Sequence, residues 1–190
     1  MDDRKDGSVP DSLRYTDGNY VAERGRWLTG GDSVRGRRVA ARMLRAVHKP
    51  WFRVWLPHGV GVLTTTGRKT GKPRTTYIKA VRAGDKAYLV AIPGQQALWL
   101  KNIRADSSVR LRVRGGTFAG VAREPHDDSE RRTAYDAFCG TVHPFDYVEN
   151  AFHRRGLPTR AKIVELHRAW FDGGIPLVVD LEKDAGTLES

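Results

Sequence analysis

The sequence has little cysteine, no long apolar run and, over one stretch of 52 residues, no acidic residue. Cys139 is the single cysteine, so an internal disulfide cannot form and a secreted disulfide scaffold is excluded. The longest uncharged runs, 54–67 and 87–100, have 14 residues each, short of the roughly 20 that a membrane-spanning helix needs. The sequence shows no basic segment followed by an apolar stretch and a cleavage site, as a secretory signal peptide would, so we expect a cytoplasmic protein.

The charge of the chain is concentrated in one region. There are 33 basic and 22 acidic residues, a formal net charge of +11. Residues 33–84 hold 13 Lys and Arg and no Asp or Glu, so the whole positive excess lies there. Such a field attracts phosphate or carboxylate groups, whether on nucleic acid, an anionic lipid surface or a small ligand. The charge by itself leaves these three partners open.

The first 55 residues fall into two parts. Residues 1–31 have too few apolar side chains to build a core, so we expect a disordered N-terminal arm. Residues 33–55 show helical apolar spacing with arginines between, which predicts a basic amphipathic helix. Packing of this helix on the core is the favoured interpretation, and contact with the inner face of an anionic membrane is the alternative. We expect one domain over 32–183 and a short tail over 184–190.

The remainder of the chain shows mainly strand patterns joined by hairpin turns. Alternation and β-branched residues predict strands over 61–66, 75–82, 86–92, 109–114, 117–123 and 175–181. Helical patterns follow over 95–105, 128–139, 145–155 and 159–171. Consecutive short strands with appended helices predict an α+β fold with a mainly β core, in which an antiparallel sheet curls into a small barrel.

Several common catalytic and cofactor motifs are missing. The glycines of residues 67–74 are too close together for a phosphate-binding P-loop, and no dinucleotide fingerprint joins a strand to a helix. The six histidines are scattered without metal-ligand spacing, so we expect no metal site. Cys139 and His143 are four residues apart, so on a helical turn they could face each other as a thiol nucleophile and its base. A buried cysteine beside a histidine at a helix end is the favoured interpretation.

The turn after the first strand combines cations, glycines and hydroxyls. Within seven residues it carries four cations: Arg68, Lys69, Lys72 and Arg74. Gly67 and Gly71 allow close approach of the backbone to a ligand, and three threonine hydroxyls lie alongside, at positions 65, 66 and 70. This composition suits an anion-binding turn, although for a run of four cations by itself a solvated basic hairpin is the favoured interpretation. We call residues 67–74 the cationic turn.

The same region resembles a known family. Residues 63–76, LTTTGRKTGKPRTT, are similar to the opening strand and loop of the deazaflavin (F420)-dependent nitroreductase and quinone reductase family, within the flavin/deazaflavin oxidoreductase superfamily. Residues 84–91, 99–105 and 175–179 resemble its next hairpin, a helix and its last strand. The resemblance implies a split β-barrel of the flavin-reductase type. It also implies an oxidoreductase that passes a hydride from reduced coenzyme F420 to a quinone-like, nitro or other conjugated acceptor.

The resemblance also implies site residues. The positions that match the family's cofactor-binding residues are Thr66, Gly67, Arg68, Lys69, Thr70, Lys72, Arg74, Trp99 and Asn102. In the region where family members place several tyrosines over the cofactor, this chain has Tyr147, with His143 as a substitute hydrogen-bond donor, and these two are the candidate catalytic residues. Residues 92–96 replace a serine-containing loop, so the acceptor pocket is expected to differ.

Other functions remain open at this point. The missing serine and tyrosines are compatible with a non-catalytic carrier of a cofactor or lipid-like ligand on the same barrel. FMN is an alternative cofactor, because its phosphate would also suit the cationic turn. A nucleic-acid-binding protein is the remote alternative, since no reading motif or aromatic platform accompanies the charge. We therefore expect a small-molecule acceptor and no nucleic acid, and the sequence leaves a homodimer open.

Overall fold

The computed structural model of the chain describes residues 56–154 and 156–182. The predictions of an N-terminal arm, of a basic helix over 33–55 and of a tail over 184–190 lie outside these residues. None of the helices in the described ranges is long and apolar enough to cross a membrane.

Six antiparallel strands close into a barrel in the order β1-β2-β3-β6-β5-β4, with β4 pairing back on β1. The predicted antiparallel barrel is therefore confirmed. The last strand closes it by inserting between β3 and β5. The strands are β1 Val60–Thr66, β2 Pro73–Ala83, β3 Lys86–Ala91, β4 Ser108–Val113, β5 Gly116–Arg123 and β6 Ile175–Leu181.

Four α-helices accompany the barrel within the described ranges: α1 Leu98–Ile103, α2 Asp128–Gly140, α3 Pro144–His153 and α4 Arg160–Gly173. The single helix predicted over 95–105 is instead a 3-10 turn, Gly94–Gln96, followed by α1. The extended backbone of Ala97, with ψ 119°, separates the two. Asp127 and Thr159 cap α2 and α4 by accepting hydrogen bonds from Glu130 N–H and Lys162 N–H.

Two large apolar clusters lie on opposite sides of the barrel wall. Side chains that alternate inward fill the barrel, and α1 closes one end of it with Leu100 and Ile103. Outward side chains of β2, β3 and β6 pack against α2 and α4, where Phe138 and Trp170 are buried. A smaller cluster on the outside of β1 contains Leu56, Val60, Val62, Tyr77 and Phe145. This third cluster joins the outer side of β1 to Phe145 at the start of α3.

A charged network fixes the start of α2 to the barrel. Glu130 accepts hydrogen bonds from Arg123 at 2.6 and 2.8 Å, from Lys86 at 2.7 Å and from His126 N–H at 2.8 Å. The hydrogen bonds from Arg123 above all hold the pKa of the Glu130 carboxyl well below its usual range. Since the pKa is lower in the folded state, this carboxylate stabilises the fold above its ordinary pKa, and the contribution is lost as the pH falls.

We therefore expect Glu130→Gln to lower the free energy of unfolding by about 1–3 kcal/mol at pH 7. The difference from the unchanged protein should shrink at about pH 3, where protonation of Glu130 in the unfolded state removes its advantage. Urea unfolding at the two pH values measures this. Glu124→Gln is the control, because the Glu124 side chain is 54% exposed and pairs only with Arg104 among the described residues. An equal loss at both pH values would contradict the prediction.

Candidate cofactor and acceptor site

The cationic turn is a compact hairpin loop between β1 and β2. Gly67 N–H donates to the carbonyl of Lys72 at 2.9 Å, and Gly67 carbonyl accepts from Thr70 N–H and Gly71 N–H at 2.9 and 2.8 Å. Gly71 has a φ of +63°, a conformation that favours glycine at this position. The turn is therefore held by its own backbone, which leaves its side chains free for other contacts.

Asn102 of α1 anchors the turn to the barrel. Its Oδ1 accepts hydrogen bonds from Arg68 N–H at 3.3 Å and from Arg68 Nη1 at 3.4 Å, and its Nδ2 donates to Thr65 Oγ1 at 3.1 Å. Asn102 and Thr65 are both buried. Asn102, which the resemblance matched to the pocket lining, thus has its amide engaged in fixing the turn. Trp99 is half-buried and packs against the cluster inside the barrel.

The four cations of the turn face solvent. Arg68, Lys69, Lys72 and Arg74 are exposed, as is Thr70. Within residues 56–154 and 156–182, none of the recorded ion pairs involves any of these four side chains. Uncompensated cations on a rigid turn are suited to bind an anionic group.

Thr66, the remaining predicted residue beside the turn, is engaged with an acidic side chain. Its hydroxyl hydrogen-bonds to Asp106, to which Ser108 N–H also donates at 3.0 Å. The hydrogen bond from Thr66, followed by those from Ser108, lowers the pKa of Asp106 below its usual value. These hydrogen bonds favour the ionised form of Asp106.

The outer face of β1 extends from the turn along the barrel. Because Leu63 and Thr65 point inward, Val62 and Thr64 point outward. Thr64 lies opposite Thr75 and Val62 opposite Tyr77 on β2, whereas Arg110 and Arg112 flank the same two residues on β4. This strip, the β1 outer face, passes from hydroxyls near the turn to an aromatic and apolar region. The sequence-based prediction missed Arg110, Arg112 and Tyr77, because only the register of the barrel brings them beside the outward residues of β1.

A cavity of about 320 Å³ adjoins the far end of the β1 outer face. It is lined in the described residues by Leu56, Arg112, Val113, Arg114, Gly115, Gly116 and Thr117. A second cavity of about 320 Å³ lies beside the start of α2 and is lined by Lys86, Tyr88 and Glu130 among others. Neither of these two cavities is lined by the cationic turn, and the first lies at the other end of β1.

His143 lies at that far end, just before α3. Its ring stacks on the His58 ring, with centroids 5.7 Å apart and planes inclined by 22°. It also packs on Gly59, where an added Cβ would lie 2.5 Å from His143 Cδ2. Burial, followed by the charge of Lys79, lowers the pKa of His143, so a neutral imidazole is favoured at pH 7. A neutral imidazole carries one N–H that can donate a hydrogen bond.

The other candidate residues of this region differ in exposure. Tyr147 lies on α3 with 38% of its surface exposed. Cys139 is buried, and burial raises the pKa of its thiol to about 12, which excludes a thiolate nucleophile paired with His143. No group of three or more His, Cys, Asp or Glu side chains in the described residues could hold a metal ion.

The fold and one comparison with known proteins identify the family of the chain. The closed antiparallel barrel agrees with the barrel that the sequence resemblance implied. The chain belongs to the F420H(2)-dependent quinone reductase family, whose model matches residues 37–158. Membership confirms the family that the sequence resemblance named, and the description of that family supports the predicted cofactor, coenzyme F420.

Similar individual proteins match over shorter stretches or at lower identity. F420H(2)-dependent quinone reductase Rv1261c of Mycobacterium tuberculosis is 36% identical over 76 residues, which is 37% of this chain and 51% of that protein. The chain thus spans about half the length of this relative. A solved F420-H2-dependent reductase, FDR-A, is 21% identical with a TM-score of 0.44, covering 65% of this chain and 94% of the other. A FAD-binding protein of Mesorhizobium loti is 15% identical with a TM-score of 0.40, over 66% and 83%.

Proposed function

We propose that the protein is an F420H2-dependent reductase that transfers a hydride to a quinone-like acceptor, with nitro compounds as a second acceptor class. The observation that carries this proposal is the cationic turn: four exposed cations, in no recorded ion pair with another described residue, on a backbone-fixed loop at one end of an outward face that becomes apolar. Family membership supplies the identity of the anionic cofactor.

The residues present suit this cofactor. Its phosphodiester and glutamate tail needs several cations, which Arg68, Lys69, Lys72 and Arg74 would provide, with Thr70 as an additional donor. Its tricyclic ring needs a flat apolar surface, which the half-buried Val62 on the β1 outer face would help to form. β1 has seven residues, so about 20 Å separates the turn from the His143 end. An elongated cofactor would therefore have its tail and its ring in different environments.

Reduced F420, when bound, supplies the hydride. A quinone becomes a hydroquinone by gaining a hydride, which carries both electrons, and one proton on the oxygen that becomes negative. We assign to the ring N–H of the His143 imidazole the hydrogen bond that stabilises this oxygen, because a neutral imidazole carries one N–H and donates without needing a second proton. Tyr147 is the second candidate donor, from the outward side of α3. The remaining task of the barrel is to hold the two reactants together.

Binding and turnover can be tested separately with the purified protein. Titration with F420 should quench or shift the cofactor's fluorescence in the micromolar range, whereas FMN at the same concentrations should not compete. Reduced F420 should then be oxidised when menadione is added, and more slowly with a nitroaromatic. Absence of F420 binding well above micromolar concentrations would overturn the proposal. Binding without oxidation across a panel of quinones and nitroaromatics would instead indicate a carrier.

A further inference from the structure

Helix α3 buries two polar side chains and exposes several apolar ones. Asp146 and Asn150 are buried, with exposed fractions of 3% and 1%. Tyr147, Val148 and Ala151 are exposed, whereas Phe145 packs against the cluster on the outside of β1. A helix on the surface of a globular protein ordinarily buries its apolar side chains and exposes its polar ones. The inner side of α3 therefore makes polar contacts beside its apolar one.

The strongest of these contacts is a buried ion pair with β2. Lys79 Nζ lies 3.1 and 3.0 Å from the two carboxylate oxygens of Asp146, and both side chains are only 3% exposed. The ammonium also donates to Thr141 carbonyl at 3.4 Å and lies 5.6 Å from the centre of the Phe138 ring. The attraction within a buried pair is largely offset by the loss of hydration, and apolar residues of similar size would stabilise the fold as well. Stability alone does not account for this pair.

The pair holds both ends of the turn that carries His143. Asp146 Oδ2 accepts a hydrogen bond from the backbone N–H of His143 at 2.7 Å, while the Lys79 ammonium donates to the carbonyl of Thr141. The imidazole stacks on the His58 ring and lies against Gly59. Gly59 has a φ of +84° and no room for a Cβ beside the ring. His143 is thus fixed through its backbone by the ion pair and through its ring by two residues that precede β1.

We propose that the Lys79–Asp146 pair is a positioning unit, which fixes the His143 imidazole at the acceptor end of the β1 outer face. This inference rests on the proposed function, because only an acceptor at that end gives the imidazole a reaction partner. Lys79 and Asp146 do not touch the acceptor; they act through His143. Loss of either partner should therefore impair turnover much more than it impairs cofactor binding, because the charged tail of the cofactor is held at the opposite end of β1.

The charged groups around His143 make the effect of each substitution predictable in sign. Lys79 on β2 lowers the pKa of His143, Asp146 on α3 raises it, and His58 lowers it. Behind Asp146, His167 Nε2 on α4 lies 3.9 Å away, and burial lowers the pKa of His167 to about 4, so it is neutral. Burial raises the pKa of the nearby Glu149 to about 7, so this group is only partly ionised.

The test measures the titration of His143 by NMR in the protein without cofactor, alongside kcat and KM for reduced F420 with menadione. Asp146→Asn keeps an oxygen acceptor for the backbone N–H of His143 but removes the negative charge that balances Lys79. Because the Lys79 charge lowers the pKa of His143, that pKa should fall further. Lys79→Met should raise it. Asp146→Asn should lower kcat by about tenfold or more, with KM for reduced F420 within about twofold. Glu130→Gln, which breaks an ion network on another side of the barrel, is the matched control and should change neither quantity.

A double-mutant cycle shows whether Asp146 acts through His143. In a His143→Ala background, Asp146→Asn should cause no further loss of kcat. Gly59→Ala leaves the ion pair intact but inserts a Cβ at the ring, so it should lower kcat and shift the His143 resonances even where the Asp146 variant does not fold. Lys79→Met is expected to raise the pKa of His143 toward its ordinary value. If Asp146→Asn raises it as well, the pair is merely structural and the proposal is overturned.

Two further outcomes separate this inference from the proposed function. If the unchanged protein oxidises reduced F420 and Asp146→Asn and Gly59→Ala retain its full kcat, the positioning role is wrong although the proposed function holds. If the unchanged protein binds no F420 and has no turnover, the proposed function fails and the positioning role fails with it, whatever the His143 titration shows.

Discussion

Replacing Lys69 and Arg74 together by alanine is expected to weaken F420 binding by about 100-fold, or about tenfold for each charge-assisted hydrogen bond lost. Both side chains lie on the cationic turn, are exposed and take part in no ion pair recorded among the described residues. They are preferable to Arg68, whose guanidinium also hydrogen-bonds to Asn102 and so supports the turn itself. Fluorescence titration at a fixed ionic strength measures the change.

The matched control removes the same charge elsewhere. Arg131 and Arg132 are exposed on α2, away from β1, and their replacement by alanine should leave F420 binding within about twofold. The affinity of the unchanged protein for F420 should also fall as salt is added. The affinity of the Lys69 and Arg74 double variant should fall less steeply. Equal weakening by the two double variants would show that only net charge matters, which would contradict a specific tail-binding role for the turn.

Most of the barrel could be predicted from local patterns. The strand predicted over 61–66 is Val60–Thr66, and the hairpin that follows it was recognisable because its glycines and its proline interrupt two β-branched runs. The barrel closure depends on β6 pairing with both β3 and β5, distant in sequence, and was predicted only as a closing strand. Short-range patterns specify strands, whereas their order follows from burial of the whole sheet.

The site could be predicted only in part, for a related reason. The cationic turn is contiguous in sequence, so its composition was visible directly. Lys79 and Asp146 are 67 residues apart, and each has the ordinary appearance of a surface charge until the fold brings them together. Asn102 illustrates the same limit, because a motif can match an asparagine to a pocket but cannot show that Thr65 and Arg68 occupy its amide.

Phe138→Ala is expected to lower the free energy of unfolding by about 3–5 kcal/mol, because it leaves a cavity in a closely packed region. The Phe138 ring is 1% exposed, and its centre lies 5.9 Å from that of His167 and 6.1 Å from that of Phe171. It also separates the Lys79 ammonium from the interior of the α2 and α4 cluster, so its loss would admit water to the buried pair. Urea unfolding at pH 7 measures the change. The control is Val148→Ala, at a position that is 53% exposed, which should lower the free energy of unfolding by less than about 0.5 kcal/mol. A loss below about 1 kcal/mol for Phe138→Ala would contradict the prediction and mean that the cluster closes around the gap.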